Sequence, residues 1–60
     1  MQDTIREIAA RVREMRDIRQ LSGEEMASYL GIDAKAYARY EEGIEDIPAS
    51  VLYGIAQRLE

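Results

Sequence analysis

The stretch SGEEMASYLGIDAKAYARYE, residues 22–41, decides the fold. Ser22 followed three residues later by Glu25 has the form of a capping box, in which each residue satisfies an exposed amide of the other's backbone at a helix start. Gly31 then suits the left-handed conformation that stops a helix. Asp33 is a second N-cap, and Gly43 a second stop. Between the stops lie two helices of about eight residues joined by a turn of three or four. Such helices cross steeply. At the crossing the backbones approach closely, so a position midway along the first helix must be small, and Ala27 is. Met26, Leu30, Ile32, Tyr37 and Tyr40 are spaced to face one core, with Ile32 filling the space beneath the turn. A generic helical hairpin would satisfy any one of these positions. All of them together, with caps at both helix starts, specify a helix-turn-helix.

Outward from this unit the chain remains helical, with no β-branched runs. A first helix is expected from about Thr4 to Arg19, with Thr4–Glu7 as a capping box and Asp3 as the rival cap. At about 100° per residue, Ile5, Ile8, Val12 and Met15 form its apolar stripe. Arg6 and Arg13 point into solvent, and Arg16 lies at the stripe's edge. A last helix opens near Pro48 and carries Val51, Leu52, Ile55, Ala56 and Leu59. Gly54 inside it costs about 1 kcal/mol relative to alanine. The expected fold class is all-α, a compact four- to five-helix domain spanning residues 1–60.

Composition narrows the function. The 60 residues contain no cysteine and no histidine, which removes disulfide stapling, thiolate chemistry and histidine-based catalysis. No nucleophile–base pair or metal-ligand spacing is visible, so neither an enzyme nor a cofactor is expected. Tyr29 and Tyr53 read as surface or interface residues. There is no apolar run long enough for a membrane span and no signal-peptide pattern, which fits a cytoplasmic protein. The formal net charge is −4, an unusual balance for a nucleic-acid binder. The excess is local: residues 41–60 hold Glu41, Glu42, Glu45, Asp46 and Glu60 against Arg58 alone.

From Arg11 to Leu59 the chain resembles the xenobiotic-response-element (XRE) family, which includes phage repressors and Cro proteins. The matching pieces are RVREMR at 11–16, LSGEEMA at 21–27, LGI at 30–32, YARYEEG at 37–43 and IAQRL at 55–59. The resemblance implies a five-helix, repressor-like fold, of which this chain would supply four helices as the N-terminal part of a longer regulator. It further implies that the second helix of the motif, about 33–42, enters the major groove of double-stranded DNA. The base-reading positions would be Ala34, Lys35, Ala38 and Arg39. Lys35 and Arg39 can donate to guanine N7 and O6, while alanine methyls touch thymine methyls. Ser22, Gly23 and Arg13 would position phosphates. In the family, the arginine matching Arg16 pairs with the glutamate matching Glu41, so an Arg16–Glu41 salt bridge is expected.

Three departures from the family bear on binding. Gly23 replaces a glutamine that commonly contacts phosphate. The loop Ile44-Glu45-Asp46 is acidic where basic residues are usual. Asp33 and Ala34 replace polar residues at the start of the reading helix. Binding by a single domain should therefore be weak and salt-sensitive, with useful affinity requiring a homodimer on two half-sites. The dimer contacts are expected to involve regions beyond residue 60. The competing expectation is a protein-interaction module, antitoxin-like or for assembly, that keeps the fold with little or no DNA binding.

Overall fold

The computed structural model describes residues 2–60 and contains four helices: α1 (Gln2–Ile18), α2 (Gly23–Leu30), α3 (Ala34–Glu41) and α4 (Ala49–Leu59). At 1.5 Å per residue α1 is about 26 Å long, enough to run the full 27 Å of the molecule's longest dimension. Helix α2 packs on α3 and α4, and α1 packs on α3 and α4. The shared core holds Val12, Met26, Ala27, Tyr37, Ile47, Ile55 and Leu59, with Leu30, Ile32 and Tyr40 partly buried around it.

Both caps of α2 follow the expectation. The Ser22 hydroxyl accepts the Glu25 amide at 3.0 Å, and the Glu25 carboxylate accepts the Ser22 amide at 2.8 Å. This reciprocal bond, the backbone amide foremost, holds the Glu25 carboxyl below its ordinary pKa. At α3, the Asp33 carboxylate accepts the amides of Lys35 and Ala36. Its negative charge is thus turned onto the helix start.

Three helices end in the same turn. Gly31 and Gly43 have φ of 72° and 73°. In each case the next residue reaches back to complete a Schellman motif: Ile32 to the Ala27 carbonyl, Ile44 to that of Arg39. Helix α1 closes identically, with Leu21 bonded to the Arg16 carbonyl, but Gln20 occupies the left-handed position at φ 58°.

Four local expectations need correction. Helix α1 already includes residues 2–4, so Thr4 and Asp3 lie within it and neither is its N-cap. Met15 is 49% exposed, whereas Ala9 is buried. The inward stripe is therefore Ile5, Ile8, Ala9, Val12 and Arg16, rotated towards Arg16 because that side chain has a partner inside. Ala56 is exposed. Gly54 has a packing role besides its helix-propensity cost: a Cβ there would come within 2.6 Å of a Leu30 methyl, so that side chain would have to turn aside.

Candidate nucleic-acid interface

Helix α3 divides cleanly into two faces. Tyr37 and Glu41 are buried and Tyr40 half-buried, while Ala34, Lys35, Ala38 and Arg39 are all exposed. The inward set is spaced three and four residues apart, which puts it on one side of a helix and the four candidate reading residues on the other.

The inner face is fixed by an ion pair. Arg16 donates from Nε to Glu41 Oε2 at 2.7 Å and from Nη2 to Oε1 at 3.0 Å. Nη1 donates to the Leu21 carbonyl and lies 3.2 Å from Asp17. The expected Arg16–Glu41 bridge is present, is bidentate, and joins α1 to the end of α3. With side-chain exposures of only 11% and 9%, both charges have lost most of their water and depend on each other. The bonds to Glu41 raise the Arg16 pKa above its already high ordinary value. Beside the pair lies Tyr37, 1% exposed, with a hydroxyl that makes no hydrogen bond. Burial, then the neighbouring carboxylate, pushes its pKa well above the ordinary 10.0.

The turn residues fit their expected places. Ala27 is 2% exposed at the α2–α3 crossing. Gly31 has nothing within 4 Å of where a Cβ would stand, so only its φ selects glycine. Gly43 is held twice over. Besides its φ, a Cβ would meet Arg6 Cγ at 2.9 Å and Arg6 Cα at 3.2 Å.

The outer face carries a feature the sequence did not announce. Arg39 Nε lies 3.4 Å from a Glu45 carboxylate oxygen, with the two side chains 63% and 55% exposed. One candidate reading residue is thus engaged by the acidic loop. Lys35 takes part in no salt bridge among the described residues. The residues proposed for phosphates are less gathered. Ser22 is exposed, but its amide and hydroxyl oxygen already serve the cap. Gly23 is half-buried, and a Cβ there would lie 3.8 Å from the Tyr37 ring, an ordinary contact. Arg13 is exposed on α1, and nothing bonds it to α3 among the described residues.

Ile47 also escaped the sequence reading. It is 6% exposed and belongs to the core, so the α3–α4 connection is pinned at Gly43 and again at Ile47. A single isoleucine between Asp46 and Pro48 has no periodicity to reveal it.

Two short helices joined through a left-handed glycine, with a small residue at their crossing, define a helix-turn-helix. A family model described as a helix-turn-helix domain matches residues 9–60, and the chain belongs to that family, which is of the XRE type. No curated protein and no solved structure gives a significant match. No helix among the described residues is long and apolar enough to cross a membrane.

Proposed function

We propose that the chain is the DNA-binding module of a transcriptional regulator that acts as a dimer, with α3 entering the major groove. The observation that carries this reading is the outer face of α3, where Ala34, Lys35, Ala38 and Arg39 stand exposed together on a helix braced from behind by Arg16–Glu41. A rigid helix presenting two cations and two methyl groups suits reading of guanine edges and thymine methyls. Ser22, Gly23 and Arg13 are the proposed phosphate contacts. The exposed start of α2 retains the amides of Gly23 and Glu24 for that role, though Glu24 and Glu25 stand close by. Few phosphates are neutralised, so binding by a single domain is weak, and a dimer, with contacts partly outside this chain, supplies the rest.

The test is fluorescence anisotropy at low salt, using duplexes enriched by the chain from a random-sequence pool. The Lys35→Ala/Arg39→Ala variant should bind at least about tenfold more weakly, since a good bidentate base contact is worth about 1–3 kcal/mol. Binding as tight as wild type would rule out α3 as the reading helix.

A second reading, a protein-interaction module, draws on a different observation. Arg39 is engaged by Glu45, and a groove of about 510 Å³ lies between α2 and α4, bordered by exposed Tyr29. Failure to enrich any duplex, with the chain folded, would favour it.

A further inference from the structure

The loop after α3 places one carboxylate beside Arg39. Gly43 turns the chain back so that the Ile44 amide bonds the Arg39 carbonyl at 3.2 Å. Ile47 then anchors the far end in the core. Between these two fixed points Glu45 lies alongside Arg39, its oxygen 3.4 Å from Nε. Among the described residues, neither terminal nitrogen of Arg39 donates a hydrogen bond to the protein.

This arrangement treats two kinds of DNA contact differently. A phosphate attracts a guanidinium mainly through net charge, and a carboxylate at Nε cancels much of the charge it would sense. A guanine edge instead offers N7 and O6, two acceptors matched to a pair of N–H donors in one plane. The terminal nitrogens remain available for that match. We infer that Glu45 is a specificity-determining residue: it weakens Arg39's attraction to phosphate while leaving its terminal nitrogens free for a guanine edge. The inference rests on α3 being the reading helix. It turns the acidic loop from a simple obstacle to binding into a filter against indiscriminate binding. Glu42 and Asp46, exposed on the same connection, repel phosphate generally, but neither forms an ion pair with Arg39 among the described residues.

The experiment compares affinities for a duplex enriched by the wild-type chain and for the unselected random pool. It uses wild type, Glu45→Gln, Arg39→Ala and the double variant, with circular dichroism to verify folding. Glu45→Gln should tighten binding to the unselected pool and lower the selected-to-unselected ratio by about threefold, the scale of one exposed ion pair. In the Arg39→Ala background the same substitution should leave the ratio unchanged. A ratio unaffected by Glu45→Gln, or lowered equally without Arg39, would overturn the inference and leave only general repulsion. Enrichment of no duplex by either wild type or Glu45→Gln would instead sink the reading of α3 on which it rests.

Discussion

Helix α3 is held by an arginine–glutamate pair at its back and carries another at its front, and the two share little beyond chemistry. At the back, Arg16 and Glu41 meet through two hydrogen bonds with side chains about nine-tenths removed from water. At the front, Arg39 and Glu45 meet at one 3.4 Å contact with more than half of each side chain exposed. Burial makes the difference. A desolvated charge that loses its partner cannot recover its hydration, so the back pair is committed. An exposed charge exchanges its partner for water or another ion at little cost, so the front pair is available for exchange. One helix therefore has a structural ion pair on one side and a replaceable one on the other.

The largest expected effect comes from breaking the back pair. Arg16→Met should cost about 3–5 kcal/mol by stranding Glu41. That rivals the whole stability of a domain this size, about 3–9 kcal/mol, so the variant should be largely unfolded by circular dichroism at neutral pH. Adding Glu41→Leu should recover most of the loss, leaving about 1 kcal/mol for the Leu21 carbonyl that no longer has a donor. A loss below about 1 kcal/mol for Arg16→Met in urea unfolding would place both pairs in the same class and end the contrast.

Gly43 links the two sides, since Glu41 precedes it on the inner face and Glu45 follows it on the outer. Gly43→Ala should cost more than Gly31→Ala. Both pay about 1–2 kcal/mol for a left-handed alanine, but only Gly43→Ala also pushes against Arg6, for roughly 1–3 kcal/mol more. Equal urea midpoints for the two variants would show that α1 gives way without resistance.

A smaller effect concerns the third support of Arg16, the carbonyl of Leu21. The turn that presents it places Gln20 in a conformation suited to glycine. Gln20→Gly should raise stability by up to about 1 kcal/mol, visible as a higher melting temperature. An unchanged or lower melting temperature would mean that the strain is relieved elsewhere. The smallest effect belongs to the front pair: Glu45→Gln should change unfolding stability by no more than about 1 kcal/mol. A larger loss would make Glu45 a structural residue and blur the distinction between the two pairs.

The legibility of the molecule in its sequence follows the same division between local and long-range causes. Ser22–Glu25, Gly31, Asp33 and Gly43 could be read because capping and helix termination are decided within a few residues. The exposed set on α3 followed from helical spacing, and Arg16–Glu41 from a family resemblance together with Arg16's place at the edge of the stripe. The rest depended on partners distant in sequence. Ala9 displaced Met15 from the stripe because an arginine with a buried partner turned α1 inward along another line. Ile47 and Gly54 owe their roles to the surfaces they meet, and Gln20 fills a turn that composition would assign to glycine. The engagement of Arg39 by Glu45 required knowing that the chain doubles back after Gly43.

The two-faced construction of α3 also has an evolutionary consequence. None of Ala34, Lys35, Ala38 and Arg39 belongs to the hydrophobic core, and surface substitutions of this kind usually change stability by less than about 0.5 kcal/mol. Selection can rewrite those four positions almost independently of the scaffold. A lineage carrying this domain is therefore free to change what α3 recognises through successive single substitutions, each leaving a folded protein.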